Sequence, residues 1–204
     1  MSVVIVDGQG SGLAAKTLSM QLTSKAVSLL KEGVRDGAAA RAVHDSLFAF
    51  RHGQVSAALD ILSVDLKTRS VLVTRNAETP MTLCVQGVWK AAPPTSSPIG
   101  LYHFTRPSVT QLQAEAGLIV ILATDGVSAS GCRSGSESFN VTTFAAETFD
   151  HGQTAQEIAG RLLNEAIARD LGRPRDDQTV TVLRLADHNE QPLIRQLSVF
   201  VPLP

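Results

Sequence analysis

An α+β sandwich, with sheets inside and helices outside, is the fold class that three features of this sequence predict. Val3-Val4-Ile5-Val6 is a short apolar run that meets Asp7-Gly8 and a glycine-rich bend, then passes into a long helical period. Residues 55–123 are a succession of short β-type runs separated by turn residues. A second long helical segment after Thr154 precedes a last apolar run at Thr179–Leu185, so a strand meander lies between long helices.

Each element has its own local cause. Ala14, Leu18, Leu22, Ala26, Leu29 or Leu30 and Gly33 recur at helical spacing, which predicts one helix from Ser11 to about Lys31 laying an apolar stripe on a sheet. Asp36 is the expected N-cap of a second helix, with Ala39 or Ala40, Val43, Leu47 and Phe50 on its inner face and Gly53 closing it. His44 and His52, near the ends of that helix, are read as surface or hydrogen-bonded histidines. Val55–Leu66 is apolar on both faces, the pattern of a strand covered on each side. Asp60 is out of place there, and is expected either to meet a neighbouring hydroxyl or to stand just behind the site. Lys67-Thr68 turns the chain into Ser70–Asn76, and Met81–Val85 and Val88–Ala91 flank Gln86-Gly87. Residues 91–104 form a Pro- and Ser-rich loop, followed by strands Val109–Gln113 and Leu118–Ala123. Ser128–Glu137 is a small-residue loop and a candidate substrate flap. Thr154-Ala155-Gln156-Glu157 is a capping box opening a helix whose apolar face carries Ile158, Leu162 and Ala166 and which ends near Gly172.

Composition narrows the function. A formal net charge of −1 gives no electrostatic case for nucleic acid or an anionic membrane. Cys84 and Cys132 lack metal-type spacing and read as a buried thiol and a loop thiol of a reducing compartment. No apolar run approaches membrane-spanning length, and the opening residues lack a basic flank and a cleavage site, so the expected location is cytoplasmic.

Three Asp-bearing turns carry the chemistry. As a dinucleotide fingerprint, the first bend has Leu13 where the third glycine belongs, and as a P-loop ending at Lys16-Thr17 it has Ala15 where the second belongs. Both readings leave Asp7 without a role. Asp125-Gly126 ends a second buried-looking strand, and Asp176-Asp177-Gln178 stands directly before a third. If the third strand runs antiparallel to the others, it begins at the edge where they stop, and three carboxylates converge. Such a cluster repels itself and calls for divalent cations, and its hard oxygens favour magnesium or manganese over zinc. Arg133 and Lys16 are weaker candidates for contact with a substrate phosphate.

Asp-Gly-x-Gly-x-Gly after one strand, Thr-Asp-Gly-Val after a second and Asp-Asp-x-Thr before a last, in that order, resemble the metal-dependent protein phosphatases of type 2C (PPM family). The likeness is to the bacterial branch of SpoIIE and the stress-pathway phosphatases. It spans roughly residues 3–186 and includes Ser97-Pro98-Ile99-Gly100-Leu101, similar to a Pro-Leu-Gly element of that branch.

The resemblance implies a four-layer αββα sandwich of two antiparallel sheets, within a phosphatase domain over 1–188. Residues 189–204 would be an extension, either an edge strand or a partner-binding tail. It implies two Mn²⁺ or Mg²⁺ ions, with Asp7 bridging both, the Gly8 carbonyl on one, and Asp125 and Asp176 on the other. Asp177 and Gly126 would support these ligands from behind. A water activated by the ions would hydrolyse phosphoserine or phosphothreonine on a regulatory protein, such as a STAS-domain anti-sigma antagonist. Domains of this family commonly carry two further strands and a Gly-Asp ahead of the Asp-Gly element. This sequence starts on the Asp7 strand, where that acid has no counterpart: either the sequence begins late, the carboxyl tail supplies replacement strands, or the site binds metal weakly. The alternative is a catalytically impaired module that keeps the fold and binds a phosphorylated regulator.

Overall fold

A computed structural model describes residues 1–132, 135–150, 152–174 and 176–186. The chain runs β1 (Ser2–Gly8), α1 (Gly12–Lys31), α2 (Asp36–Arg51), β2 (Ala57–Asp65), β3 (Ser70–Asn76), β4 (Met81–Val85) and β5 (Val88–Ala92). It continues through β6 (Ser108–Gln113), β7 (Ile119–Ala123), α3 (Asp125–Ser128), α4 (Val141–Thr148), α5 (Ala155–Arg169) and β8 (Val180–Arg184). Among the described residues the strands form two four-stranded antiparallel sheets, ordered β1-β2-β3-β6 and β5-β4-β7-β8.

Strand parity decides the layers. On β2, Leu59 and Ile61 face α1 and α2, where they pack with Leu18, Leu22, Ala26, Val43 and Leu47. Leu62 and Val64 point the other way and meet Val71, Val73, Met81, Leu83, Val120 and Leu122 between the sheets. On β7, Ile119 and Ile121 face Ala145 of α4 and Ile158, Leu162 and Ala166 of α5. Four layers result, as expected: helices, sheet, sheet, helices.

Some local expectations shift. Arg35, not Asp36, is the N-cap of α2, and Phe50 is 80% exposed instead of lying on the inner face, because the helix turns it past the stripe that Val43 and Leu47 bury. His44 is buried, its Nδ1 accepting a hydrogen bond from the Gly100 amide at 3.1 Å. Residues 141–148, which carried no expected element, form α4, capped by the Asn140 side chain accepting from the Thr143 amide. The capping box at Thr154 and Glu157 forms as expected. Cys84 and Cys132 are both free thiols, one buried and one exposed. No helix among the described residues is long and apolar enough to cross a membrane. The extension 189–204 lies outside the described residues.

Asp60 meets a guanidinium, not a hydroxyl. Arg75 donates Nε–H to Asp60 Oδ1 at 2.9 Å and Nη2–H to Oδ2 at 3.0 Å, and both residues are buried between the sheets. Burial raises the Asp60 carboxyl, and the Arg75 hydrogen bonds and charge oppose that rise. Arg75 also donates to the Thr79 carbonyl at 2.8 Å and the Thr79 hydroxyl at 3.2 Å, and that hydroxyl donates to the Ala123 carbonyl at 3.0 Å. The relay thus crosses from the first sheet to the end of β7. Arg75→Ala leaves a buried carboxylate unpaired and should cost about 3–5 kcal/mol. Thr154→Ala, which removes only an exposed cap, should cost about 1 kcal/mol; urea denaturation of the two variants side by side checks the order.

Candidate active site

The antiparallel order puts the end of β1, the start of β2 and the end of β3 at one end of the first sheet. In the second sheet β8 is antiparallel to β7, so the end of β7 and the start of β8 coincide. A cleft of about 290 Å³ opens where these strand ends meet, and Asp7, Gly8, Asp60, Glu78, Thr79, Asp125 and Asp176 line it. The three acids singled out in the sequence therefore reach one cleft, though from two sheets: Asp7 shares the inner face of the first sheet with Ile5 and Asp60, while Asp125 and Asp176 come from the second.

Hydrogen bonds lock the two turns of the second sheet together. The Thr124 amide donates to the Thr179 carbonyl at 3.1 Å, and the Thr179 amide donates to Thr124 Oγ1 at 3.0 Å. Thr124 Oγ1 in turn donates to the Asp177 carbonyl at 3.2 Å. Gln178 Nε2 reaches the Gly126 carbonyl at 3.2 Å and Asp170 Oδ2 at 3.0 Å. A Cβ added to Gly126 would run into the Asp177 carbonyl, so glycine is required for the Asp125 turn to sit against the Asp176 turn. At the other turn, Gly8 packs flat on α1, donating its amide to Ser19 Oγ at 3.0 Å, and a Cβ there would crowd Ser19 and Leu18.

Asp7 bears the electrostatic load. Burial raises its carboxyl from the ordinary 3.8 to about 7, reinforced by the charge of Asp125, a hydrogen bond with Asp125, and the charges of Asp176 and Asp177. Burial and the neighbouring carboxylates thus both favour the neutral form of Asp7, and a cation bound among them would favour the charged form instead. Among the described lining residues none is Lys, Arg or His. The donor set is thus all oxygen and negatively charged, which fits Mg²⁺ or Mn²⁺ and not a soft metal. Among the described residues no group of three or more His, Cys, Asp or Glu side chains is already arranged to hold a metal ion.

Other expected site residues fall differently. Asp177 lies beside the acids and Gly126 packs behind them. Lys16 is exposed on α1 and does not line the cleft, and Arg133 lies outside the described residues. Glu78 and Thr79, which line the cleft, carried no site expectation from the sequence. Their signal was present: they follow β3, which ends beside the start of β2 and so at the same edge as Asp7.

The chain matches the family described as stage II sporulation protein E (SpoIIE) over residues 1–186. It is 25% identical over 190 residues to stage II sporulation protein E of Bacillus subtilis strain 168, covering 92% of this chain and 22% of that relative's length. Among solved structures, the PP2C phosphatase domain of Bacillus subtilis SpoIIE with a fragment of its regulatory domain superposes with a TM-score of 0.73 at 24% identity, over 90% of this chain and 54% of that one. The catalytic domain of the serine/threonine phosphatase PstP, solved with two manganese ions, gives a TM-score of 0.67 at 18% identity, over 91% of this chain and 88% of that one.

Because Asp7 has a raised carboxyl in the folded protein, folding favours its protonated form. Its contribution to stability in EDTA is therefore full below about 3.8 and is lost as pH rises toward about 7. The urea midpoint of the wild type should fall across that window, and Asp7→Asn should remove much of the fall; an identical slope in the variant would refute the assignment.

Proposed function

The chain belongs to the SpoIIE family, and on that premise we propose that it is a metal-dependent phosphatase acting on phosphoserine or phosphothreonine of a bacterial regulatory protein, of the STAS-domain kind. The observation that carries this reading is the cleft between the sheet ends, where Asp7, Asp125 and Asp176 converge with no cationic side chain among the described lining residues.

The residues take distinct roles. Asp7, the Gly8 carbonyl, Asp125 and Asp176 are the groups that would hold Mn²⁺ or Mg²⁺ ions. When bound, the ions supply charge neutralisation for the phosphoryl oxygens and acidify the attacking water. Gln178 and Thr124 fix the Asp125 and Asp176 turns, so that these carboxylates are held in place before substrate arrives. Gly10, at φ 100° with open space around it, leaves the main chain beside the cleft unshielded, so a phosphorylated segment has room to approach. Thr79 and Glu78 also line the cleft.

A phosphoprotein-binding module without turnover is the second reading, favoured because no group of three acids among the described residues is already arranged to hold an ion. Purified protein with manganese should hydrolyse p-nitrophenyl phosphate and a phosphoserine protein. Asp125→Asn should lower both on the order of 100-fold. Manganese should also raise the melting temperature of the wild type and not of Asp7→Asn. Retained phosphoprotein binding with no hydrolysis above the Asp125→Asn background would select the module.

A further inference from the structure

A second cavity, of about 410 Å³, adjoins the acidic cleft and shares Thr79 and Ala123 with it. It lies between β4 and β5 on one side and residues 128–132 and 138–142 on the other, and its walls include Pro80, Ala129, Cys132, Phe139 and Thr142. No described lining residue is charged. The polar groups that reach it are largely engaged within the protein. The Thr82 and Thr142 hydroxyls bond each other at 2.6 Å, Asn140 Oδ1 accepts the Thr143 amide at 3.0 Å, and Ser128 Oγ donates to the Asp125 carbonyl at 3.3 Å. What remains open to a ligand is mainly carbon surface, which favours an apolar group and penalises a charged one left without a partner.

Resting on the phosphatase reading, we infer that this cavity is a specificity pocket that receives an apolar side chain close in sequence to the phosphorylated residue. Continuity through Thr79 and Ala123 is the reason for a neighbouring side chain of the same substrate: a phosphoresidue seated at the acids places its flanking residues against that shared wall. The substrate class is therefore a phosphoserine or phosphothreonine segment with an aliphatic or aromatic neighbour, not an acidic one.

Cys132 supplies a probe, since its thiol is exposed at this cavity while Cys84 is buried. Phosphoserine peptides carrying Leu or Glu at each of the two positions on either side of the phosphoserine are compared by kcat/KM, alongside p-nitrophenyl phosphate. At one or more of these positions Leu should be preferred by about ten-fold or more. Treatment with N-ethylmaleimide should lower the ratio of Leu-peptide turnover to p-nitrophenyl phosphate turnover, and Cys132→Ser should be insensitive to the reagent. Equal turnover of Leu and Glu peptides at all four positions, or a ratio unmoved by alkylation, while p-nitrophenyl phosphate is still hydrolysed, would overturn the pocket and leave the phosphatase standing. Failure to hydrolyse p-nitrophenyl phosphate with manganese would overturn both.

Discussion

The buried relay from Asp60 through Arg75 and Thr79 to the Ala123 carbonyl ties the two sheets together at the end where the acids gather. Carboxylates held this close repel, and without a brace the cheapest relaxation would be for the sheet ends to splay apart. A guanidinium serves here because its fork satisfies both Asp60 oxygens and still has N–H groups for Thr79. The same link sets the shape of the cleft, since Asp60 and Thr79 are part of its wall.

Around that brace the loops divide the work. The segment carrying Pro98 is pinned by the Asn76 side chain, which donates to Ser96 Oγ at 2.8 Å and the Ser97 carbonyl at 3.0 Å. Gly100 is pressed so closely against Leu47 and the Val55 carbonyl that no side chain fits, and its positive φ of 96° suits glycine in any case. On the far side, Asp170 at the end of α5 accepts from both Gln178 and the Gly131 amide, at 3.0 Å each, coupling the Asp176 turn to the segment that walls the second cavity. The acidic cleft and the apolar cavity are thus built from one connected set of turns, with Thr79 common to both.

Much of this was legible along the chain. Asp7-Gly8, Asp125-Gly126 and Asp176-Asp177 each adjoin a strand-like apolar run; one Asp-Gly is an ordinary turn, and it was the three together, in order, that marked a site. The glycines were legible for the same reason: Gly126 allows a close approach that any side chain would block. The partner of Asp60 was not legible, because Arg75 is fifteen residues away and only the β2–β3 register sets the two opposite each other. Glu78 and Thr79 escaped notice because nothing local marks them; they matter only through where β3 ends.

The order of elements along the sequence pointed to sheets inside and helices outside, and periodicity marked the buried faces. Alternation on the strands fixes which side chains face helices and which face the opposing sheet, and helical spacing fixes the stripes of α1 and α5, because both depend only on backbone geometry over a few residues. The sequence also singled out three acids that line the cleft. Tertiary structure alone decided that Asp7 approaches from one sheet while Asp125 and Asp176 approach from the other. Strand order is a matter of long-range pairing, in which distant segments compete for the same hydrogen bonds, and no short-range pattern records the winner.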